Sequence, residues 1–255
     1  MSSFQAIVLS LIEGATEFLP ISSTGHLILA SKLLGVSQTE FVKSFEIVIQ
    51  LGAILAVVFL YFRTLTKRFD YWKKILIAFL PTGALGLVFY KIVKIYLLGN
   101  LNVVICSLFL GGVAMLILEN LFAKKKLTKT TNKLSSNSYL LIGLWQSLAM
   151  IPGVSRALAT IYAGLGEGLT REAATEFSFL LAIPTMAAAT GLDLLKSSFQ
   201  FTPGEFWLLL AGFFGAFISA LLTVKALINF VKKHDFRSFA WYRIILAVVF
   251  RYIFR

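Results

Sequence analysis

Charged residues and cysteine are both scarce in this sequence. Only 14% of its 255 residues are charged, whereas an ordinary soluble domain carries about 25%, and this shortage excludes a soluble enzyme. The single cysteine, Cys106, excludes an intramolecular disulfide, and no cysteine spacing indicates a thiolate metal site. The N-terminus lacks the basic segment of a cleaved signal peptide, so we expect it in the mature protein. What the chain has in abundance is apolar residues, which make up 58% of it.

The surplus of basic residues fits membrane topology better than nucleic-acid binding. Lys and Arg number 24 and Asp and Glu number 12, which gives a net charge of +12. The basic residues lie in short clusters, at 63–74, 124–133 and 232–237, between long apolar runs. Because cytoplasmic loops of membrane proteins are rich in Lys and Arg, all three clusters are expected in the cytoplasm. We therefore expect contact with membrane lipid and no nucleic-acid partner.

Six apolar runs are long enough to cross a hydrocarbon core, which takes about 20 helical residues. They cover residues 44–62, 75–97, 103–123, 173–195, 205–230 and 238–254. Two further apolar regions, 4–34 and 139–165, are broken by Pro20 and by the Pro152-Gly153 pair, which predicts two helical hairpins. The positions of the basic clusters require the second hairpin to be re-entrant, and the same interpretation of the first puts both termini outside. The predicted fold is an all-α integral membrane protein with six spanning helices and two broken re-entrant hairpins.

An internal repeat is visible at an offset of 132 residues, which separates Pro20 from Pro152. Four further pairs share this offset: Ser23–Ser155, Phe45–Phe177, Gly83–Gly215 and Ala84–Ala216. Each half would contain a hairpin followed by three crossings, so the second half is inverted relative to the first, as in many transporters. The sequence thus predicts one membrane domain over 1–255, with repeats 1–123 and 139–255 joined by a basic cytoplasmic linker, 124–138.

The first hairpin concentrates ionisable and hydroxyl side chains that are costly inside a membrane. Glu13 and Glu17 are four residues apart, which places both carboxylates on one helical face. Pro20 ends this half-helix. The next helix opens with three hydroxyl residues and a histidine: Ser22, Ser23, Thr24 and His26. A helix N-terminus offers free N–H groups, which makes this position an expected anion site.

The second hairpin adds an arginine to this set. Its segment IPGVSRALAT carries Ser155 and Arg156 just after the break and Thr160 one turn later. Arginine is the side chain best suited to bidentate phosphate recognition. Brought together, the tips would supply carboxylates for a divalent cation or a general base, a histidine as proton carrier, hydroxyls as nucleophile or donors, and a guanidinium. This combination predicts phosphoryl transfer inside a membrane.

Several polar residues leave two interpretations open. Serine is a preferred N-cap residue, so one interpretation is that Ser22 or Ser23 only caps the following helix. Lining of a cavity and pairing between helices both remain open for four residues in or near spanning segments: Glu46, Gln50, Glu176 and Asp193. Glu119 is expected at the membrane interface.

Four segments together resemble one known family. They are EGATEFLPISSTGHL, FEIVIQLGAILAV, IPGVSR and EFSFLLAIPTMAAATGLDLL. Over nearly the whole chain, they are similar to the undecaprenyl-diphosphatase family of bacterial membrane phosphatases, the bacitracin-resistance protein type. The resemblance implies hydrolysis of a polyprenyl diphosphate, undecaprenyl diphosphate, to undecaprenyl phosphate and inorganic phosphate, which recycles a lipid carrier for cell-wall synthesis. It also implies a site on the outer side of the bacterial cytoplasmic (inner) membrane and a divalent cation, Mg²⁺ or Ca²⁺.

The resemblance implies roles for individual residues. The expected catalytic residues are Glu17, Ser23, His26 and Arg156. Ser23 is the candidate nucleophile, and attack by a water that Ser23 positions remains open, as does the choice of Glu17 or His26 as the proton acceptor. The expected substrate contacts are Ser22, Thr24, Ser155 and Thr160, with Gln50 as a further candidate. Glu13 and Glu17 are the expected metal ligands. The sequence departs from the family at Ala157 and Leu158, where the family has Ser-Gly after the arginine, and we expect this change to tune or weaken activity.

Three other functions compete with hydrolysis. An inverted repeat with broken helices is also typical of transporters, which leaves a lipid flippase open. A non-catalytic protein that binds the lipid diphosphate is open because of the departure at Ala157 and Leu158. A phosphatase of the type-2 phosphatidic-acid class is excluded, because no histidine follows Arg156 within the membrane: His234 lies in a basic loop. A homodimer stays open as the assembly.

Overall fold

The computed structural model describes residues 1–97, 99–194 and 201–254, without the side chains of Lys94, Asp193 and Leu194. Within these residues the regular structure is entirely helical and contains no β-strand, which confirms the predicted all-α fold class. The α-helices are α1 (Ser3–Thr16), α2 (Ser23–Leu33), α3 (Glu40–Leu60), α4 (Phe62–Lys67), α5 (Phe69–Ile92), α6 (Leu101–Ala123), α7 (Ser136–Gln146), α8 (Arg156–Gly166), α9 (Arg171–Leu194), α10 (Pro203–Val231) and α11 (Arg237–Ile253). Both interpretations of Asp193 stay open, because its side chain lies outside the described part of the chain.

Five of these helices are long and apolar enough to cross a membrane: α3, α5, α6, α9 and α10. Each overlaps one of the predicted spans. The sixth predicted span, 238–254, corresponds to α11, which has 17 residues and is shorter than the roughly 20 that a crossing needs. The chain is therefore a helical protein with five candidate spans in its described residues, and the sixth crossing stays a prediction.

The two predicted helix breaks are present, and each ends at a serine in an uncommon backbone conformation. Ser22 has φ 72° and Ser155 has φ 79°, a region that residues other than glycine seldom occupy. Each serine is the N-cap of the following helix, because its Oγ accepts a hydrogen bond from the backbone N–H of Gly25 or Leu158 respectively. The open question about the paired serines is thus answered: Ser22 is the cap, and Ser23 is the first residue of α2.

The same observation corrects the internal pairing at the breaks. The offset of 132 pairs Ser23 with Ser155, whereas backbone conformation and capping pair Ser22 with Ser155. The reason is that the second break has one more residue between its proline and its capping serine: Ile21 alone separates Pro20 from Ser22, whereas Gly153 and Val154 separate Pro152 from Ser155.

Each broken region folds into a pair of packed helices whose outer ends lie near each other. In the first pair, the side-chain amide of Gln5 in α1 donates to the carbonyl oxygen of Leu34, just after α2, at 2.9 Å. In the second pair, both ends contact the basic linker. The Tyr139 hydroxyl of α7 donates to the Thr131 carbonyl at 2.5 Å, and Lys125 donates to the carbonyl of Gly166, the last residue of α8, at 2.7 Å.

Glycines allow the first helix of each pair to pack closely on a long helix. A Cβ atom at Gly14 of α1 would overlap the Ala216 carbonyl oxygen of α10. A Cβ atom at Gly143 of α7 would overlap the Ala78 carbonyl oxygen of α5. Small residues at such contacts are typical of helix packing in membranes, where backbones approach closely. These contacts fix α1 and α7, and therefore the two breaks that follow them.

A buried ion pair lies near the end of α6. The side chain of Glu119, whose position at the membrane interface stays a prediction, is fully buried within the protein. It forms an ion pair with Arg171 at the start of α9 and accepts a hydrogen bond from the Tyr162 hydroxyl of α8 at 3.1 Å. A buried carboxylate needs partners of this kind, because desolvation otherwise disfavours its charge. Glu119 therefore joins α6, α8 and α9.

Candidate active site

The two helix breaks meet in the interior of the protein. Arg156 Nη2 of the second hairpin lies 3.3 Å from Glu17 Oε1 of the first, and both side chains are almost fully buried. The Ser155 hydroxyl donates to the Leu19 carbonyl oxygen at 3.4 Å. Residues that are far apart in the chain thus form one polar cluster, as the sequence predicts.

Glu17 is the central residue of this cluster. Its Oε2 atom accepts a short hydrogen bond from the Ser23 hydroxyl, while its Oε1 atom faces Arg156. Ser23 is 6% exposed and Glu17 is 9% exposed, so little solvent competes for these bonds. Hydrogen bonds to charged groups are stronger in such surroundings than in water. A hydroxyl bound to a carboxylate is the arrangement that a general base needs to activate a nucleophile.

Arg156 is held in place on one side and has a free donor on another. Its Nη1 atom donates to the carbonyl oxygen of Ser178 in α9 at 2.8 Å. The guanidinium carbon lies 5.8 Å from the centre of the Phe18 ring. Its Nε atom is buried and has no hydrogen-bond partner among the described residues. Such a donor is costly to leave unpaired.

A cavity of about 850 Å³ ends at this cluster. Seven of the predicted site residues line it: Glu17, Ser22, Ser23, Thr24, Gln50, Ser155 and Arg156. The walls beyond them are largely apolar and come from residues 79–93 of α5 and the π-helical turn after it, and from 185–192 of α9. A polar end and apolar walls fit a ligand with an anionic head and a hydrocarbon tail.

Three predicted site residues do not line the cavity. The Thr160 hydroxyl donates to the Arg156 carbonyl oxygen at 2.9 Å and lies 2.7 Å from Ser178 Oγ, so it supports the turn that carries the arginine. His26 faces α11: its Nδ1 lies 2.8 Å from the Ser22 carbonyl oxygen and its Nε2 lies 2.7 Å from the Tyr242 hydroxyl. Glu13 is the third.

Glu13 lies one helical turn before Glu17 and is fully buried. Neither of its carboxylate oxygens has a hydrogen-bond partner among the described residues. No three His, Cys, Asp or Glu side chains in that part of the chain form a ready metal site. Mg²⁺ and Ca²⁺ are nevertheless often held by one or two carboxylates together with substrate phosphates. Glu13 and Glu17 are donors of the type that such a cation takes, and of the two only Glu17 lines the cavity.

Sequence reasoning missed two parts of this region. Gln146 of α7 lines the cavity, and its amide donates to Thr82 at 2.9 Å and to Thr185 at 3.1 Å. Arg243 of α11 is fully buried and donates to backbone carbonyls at both breaks. The available signal for Arg243 was a charged residue within an apolar run, which is costly in a membrane and needs partners.

The fold and this cluster define a multi-helical protein in which a buried Glu–Ser–Arg site closes one end of an apolar cavity. Comparison with known proteins gives the particular family. The family model described as "Bacitracin resistance protein BacA" matches residues 6–249. The chain therefore belongs to this family, which confirms the resemblance found in the sequence, and it is a multi-pass membrane protein.

Relatives named undecaprenyl-diphosphatase match along their full length. The protein from Aquifex aeolicus is 49% identical over 254 residues, covering 100% of this chain and 99% of that one. The protein from Persephonella marina is 49% identical over 254 residues, covering 98% of each chain. The protein from Thermus thermophilus is 47% identical over 257 residues, covering 100% of this chain and 98% of that one.

Proposed function

We propose that this protein is an undecaprenyl-diphosphate phosphatase, a hydrolase that releases inorganic phosphate and leaves undecaprenyl phosphate in the membrane. The names of the full-length relatives support this function. The observation that carries it in the structure is the Ser23 hydroxyl bound to Glu17, beside Arg156, at the polar end of the cavity. The walls of α5 and α9 suit the polyprenyl tail.

The chemistry assigns one role to each of the three central residues. Glu17 accepts a proton as the P–O bond forms, either from Ser23 itself or from a water that Ser23 orients. The bond between the terminal phosphorus and the bridging oxygen breaks, and undecaprenyl phosphate leaves with its electron pair. Arg156, which lines the cavity, stabilises the charge that develops on the phosphate oxygens. If Ser23 attacks, a water then hydrolyses the phosphoserine.

The other predicted site residues fit around this core. Ser22, Thr24, Ser155 and Gln50 line the cavity and supply contacts to the head group. Glu13 and Glu17 would hold Mg²⁺ or Ca²⁺, which would neutralise phosphate charge when bound. The proton-transfer role predicted for His26 stays a prediction, because both of its ring nitrogens are engaged away from the cavity.

We further propose that the cavity opens toward the outer side of the bacterial cytoplasmic membrane. Its walls use residues 79–93 and 185–192, the ends of α5 and α9 remote from the basic clusters. The positive-inside rule assigns those clusters to the cytoplasm. The same rule supports an outer location for both termini, because Met1 packs in the same hydrophobic cluster as Leu34 and Phe201, and Phe254 packs with Leu101.

The re-entrant hairpins and the inverted repeat belong to the same proposal. In the first hairpin, α1 begins close to the end of α2, and in the second hairpin the start of α7 and the end of α8 both contact the linker. Such contacts are expected of segments that enter and leave on one side. The packing of α1 on α10 through Gly14, and of α7 on α5 through Gly143, is expected if the halves repeat.

Hydrolysis is favoured over transport and over simple lipid binding. Transport needs no hydroxyl held against a carboxylate, whereas the Ser23–Glu17 pair is buried at the end of the cavity. Ala157 and Leu158, the departures from the family, are buried in the core and do not line the cavity. The Leu158 backbone N–H still receives its cap from Ser155. The departure therefore removes no cavity contact.

Phosphate release from undecaprenyl diphosphate by detergent-purified protein tests this function. We expect release that a chelator abolishes, and a loss of at least about 100-fold in Glu17→Gln. Glu40→Gln is the matched control, because it makes the same change at an exposed carboxylate on α3. Tight lipid binding without release by the folded parent protein would overturn the proposal in favour of a binding or transport role.

A further inference from the structure

Arg243 is the largest fully buried side chain in the described part of the chain. It lies in the middle of α11, and no carboxylate among the described residues pairs with it. A buried guanidinium without a counter-ion is costly unless its donors are satisfied. The position therefore needs an explanation other than an ion pair.

The donors of Arg243 are satisfied by backbone carbonyl oxygens from three separate segments. Nη1 donates to Pro20 of the first break at 3.1 Å. At the second break, Nη1 donates to Val154 at 3.2 Å and Nη2 to Gly153 at 2.8 Å. In α6, Nη2 donates to the Ser107 carbonyl at 3.0 Å and Nε to the Leu108 carbonyl at 3.4 Å.

Three of these carbonyls, those of Pro20, Gly153 and Val154, lie at the breaks, and a broken helix leaves such groups without partners. Residues at a helix break lose their intrahelical hydrogen bonds, and inside a membrane protein water is not freely available to replace them. Arginine presents five N–H donors in a fixed plane, more than any other side chain. The single rigid guanidinium of Arg243 therefore donates hydrogen bonds to carbonyl oxygens at both breaks.

The surrounding residues leave space for this group. In α6, a Cβ atom at Gly111 would overlap Nη2 of Arg243, and one at Gly112 would lie 3.2 Å from its Cβ. At the second break, Gly153 has φ 95°, and a Cβ there would lie 2.7 Å from the Val104 carbonyl oxygen of α6. Three glycines thus make room for the guanidinium and for the turn that it binds.

We propose that Arg243 is a positioning residue for the reaction, and this inference rests on the proposed function. Pro20 lies three residues before Ser23, and Val154 lies two residues before Arg156. By binding both carbonyls, Arg243 fixes the distance between the attacking hydroxyl and the phosphate-binding guanidinium. It does not line the cavity itself. A displacement of about 1 Å between reacting groups is enough to cost about 100-fold in rate.

The test is the kinetic behaviour of Arg243→Gln and Arg243→Lys. We expect kcat to fall by about 100-fold in Arg243→Gln, with a much smaller change in KM, because the ligand-binding residues are present but misaligned. The ammonium of Arg243→Lys keeps three donors, so it should restore part of kcat. The matched control is Arg171→Gln, an arginine of the Glu119 cluster whose side chain is 18% exposed, which should lower the melting temperature and keep kcat within about 3-fold.

A second pair of variants covers the case in which Arg243→Gln does not fold. Gly111→Ala displaces the guanidinium and keeps its charge, whereas Gly204→Ala adds the same methyl group where no atom lies within 4 Å. We expect a loss in kcat for the first and parental kinetics for the second. Parental kcat in a folded Arg243→Gln or Gly111→Ala overturns the positioning role. An inactive parent protein would instead reject the proposed function.

Discussion

Two serines stand next to each other at the first helix break, and the structure gives them different partners. Ser22 has an uncommon backbone conformation and caps α2, whereas Ser23 donates its hydroxyl to Glu17. Strained residues of the first kind are concentrated at functional sites, where the surrounding structure holds them in place. The strain at Ser22 turns the chain so that the next hydroxyl faces a carboxylate.

At the scale of single residues, Ser23→Ala is the most direct prediction. We expect phosphate release to fall by at least about 100-fold, because the group next to the general base is removed. Rapid quenching with labelled substrate should trap phosphoserine in the parent protein if Ser23 is the nucleophile. Ser31→Ala is the control, since Ser31 is a buried serine of the same helix whose hydroxyl has no hydrogen-bond partner among the described residues. Near-parental turnover in Ser23→Ala would exclude the covalent route.

The residues of the cluster could be predicted because a polar or charged side chain within an apolar, membrane-spanning segment is energetically unfavourable. Glu17, Ser23 and Arg156 adjoin helix breaks in apolar segments, and polar groups at such positions need a purpose. The sequence could not show that His26 turns toward Tyr242, since that contact joins residues 216 positions apart. Local sequence patterns predict which residues are candidates for the site, and tertiary packing decides which of these side chains are in contact.

At the scale of elements, α11 is connected to α2 by a polar contact. The Tyr242 hydroxyl lies 2.7 Å from His26 Nε2, and the two rings stack with their centres 5.6 Å apart. We predict that Tyr242→Phe removes the hydrogen bond, keeps the stacking and lowers stability by about 1 kcal/mol. Thermal unfolding in detergent measures this. Tyr252→Phe is the control, because Tyr252 is 81% exposed on the same helix, and equal melting temperatures for both variants would contradict the prediction.

The close approach of α7 to α5 leads to another prediction at this scale. Gly143→Ala places a methyl group against the Ala78 carbonyl oxygen, so α7 must move away from α5. We expect a loss of about 1–3 kcal/mol in unfolding free energy, as for other overpacked sites. Gly166→Ala, at the end of α8, meets no atom within 4 Å and should have little effect. Comparable stability of the two variants would show that the contact is unimportant.

Apolar runs predicted the long helices well and α11 less well. Five predicted spans overlap helices of sufficient length, because a continuous apolar run has few alternatives in a membrane. In α11 the same run includes Arg243, whose partners lie in three other segments. Hydropathy measures composition along one segment and contains no information on such partners.

At the scale of the whole molecule, sidedness can be measured in cells. We predict that Ser37→Cys, between α2 and α3, reacts with a membrane-impermeant thiol reagent added from outside, because this loop lies opposite the basic clusters. The thiol of Lys126→Cys, in the linker, should react with the reagent only after the membrane is permeabilised. Both positions are exposed, so access to the reagent is the only difference expected. The single native cysteine should first be replaced by Cys106→Ser. The opposite labelling pattern would reverse the proposed orientation.

The arrangement of the whole molecule could be predicted only in part. The offset of 132 residues indicated two related halves, and the basic clusters indicated a topology. The offset fails at the breaks, where one additional residue between Pro152 and Ser155 changes the register and pairs Ser22 with Ser155. A comparison at a constant offset does not detect a one-residue insertion, because it aligns each half without gaps.

The cavity has a polar end and apolar walls. The two products of the proposed reaction differ in the same way, because one enters water and the other stays in the bilayer. Inorganic phosphate is soluble in water alone, whereas the polyprenyl chain of the other product is stable only in the bilayer. In the proposed reaction the products therefore depart in different directions, one into the aqueous phase and one sideways between α5 and α9. Re-encounter of the two at Glu17 and Arg156 is correspondingly rare, so partition between phases favours hydrolysis over resynthesis.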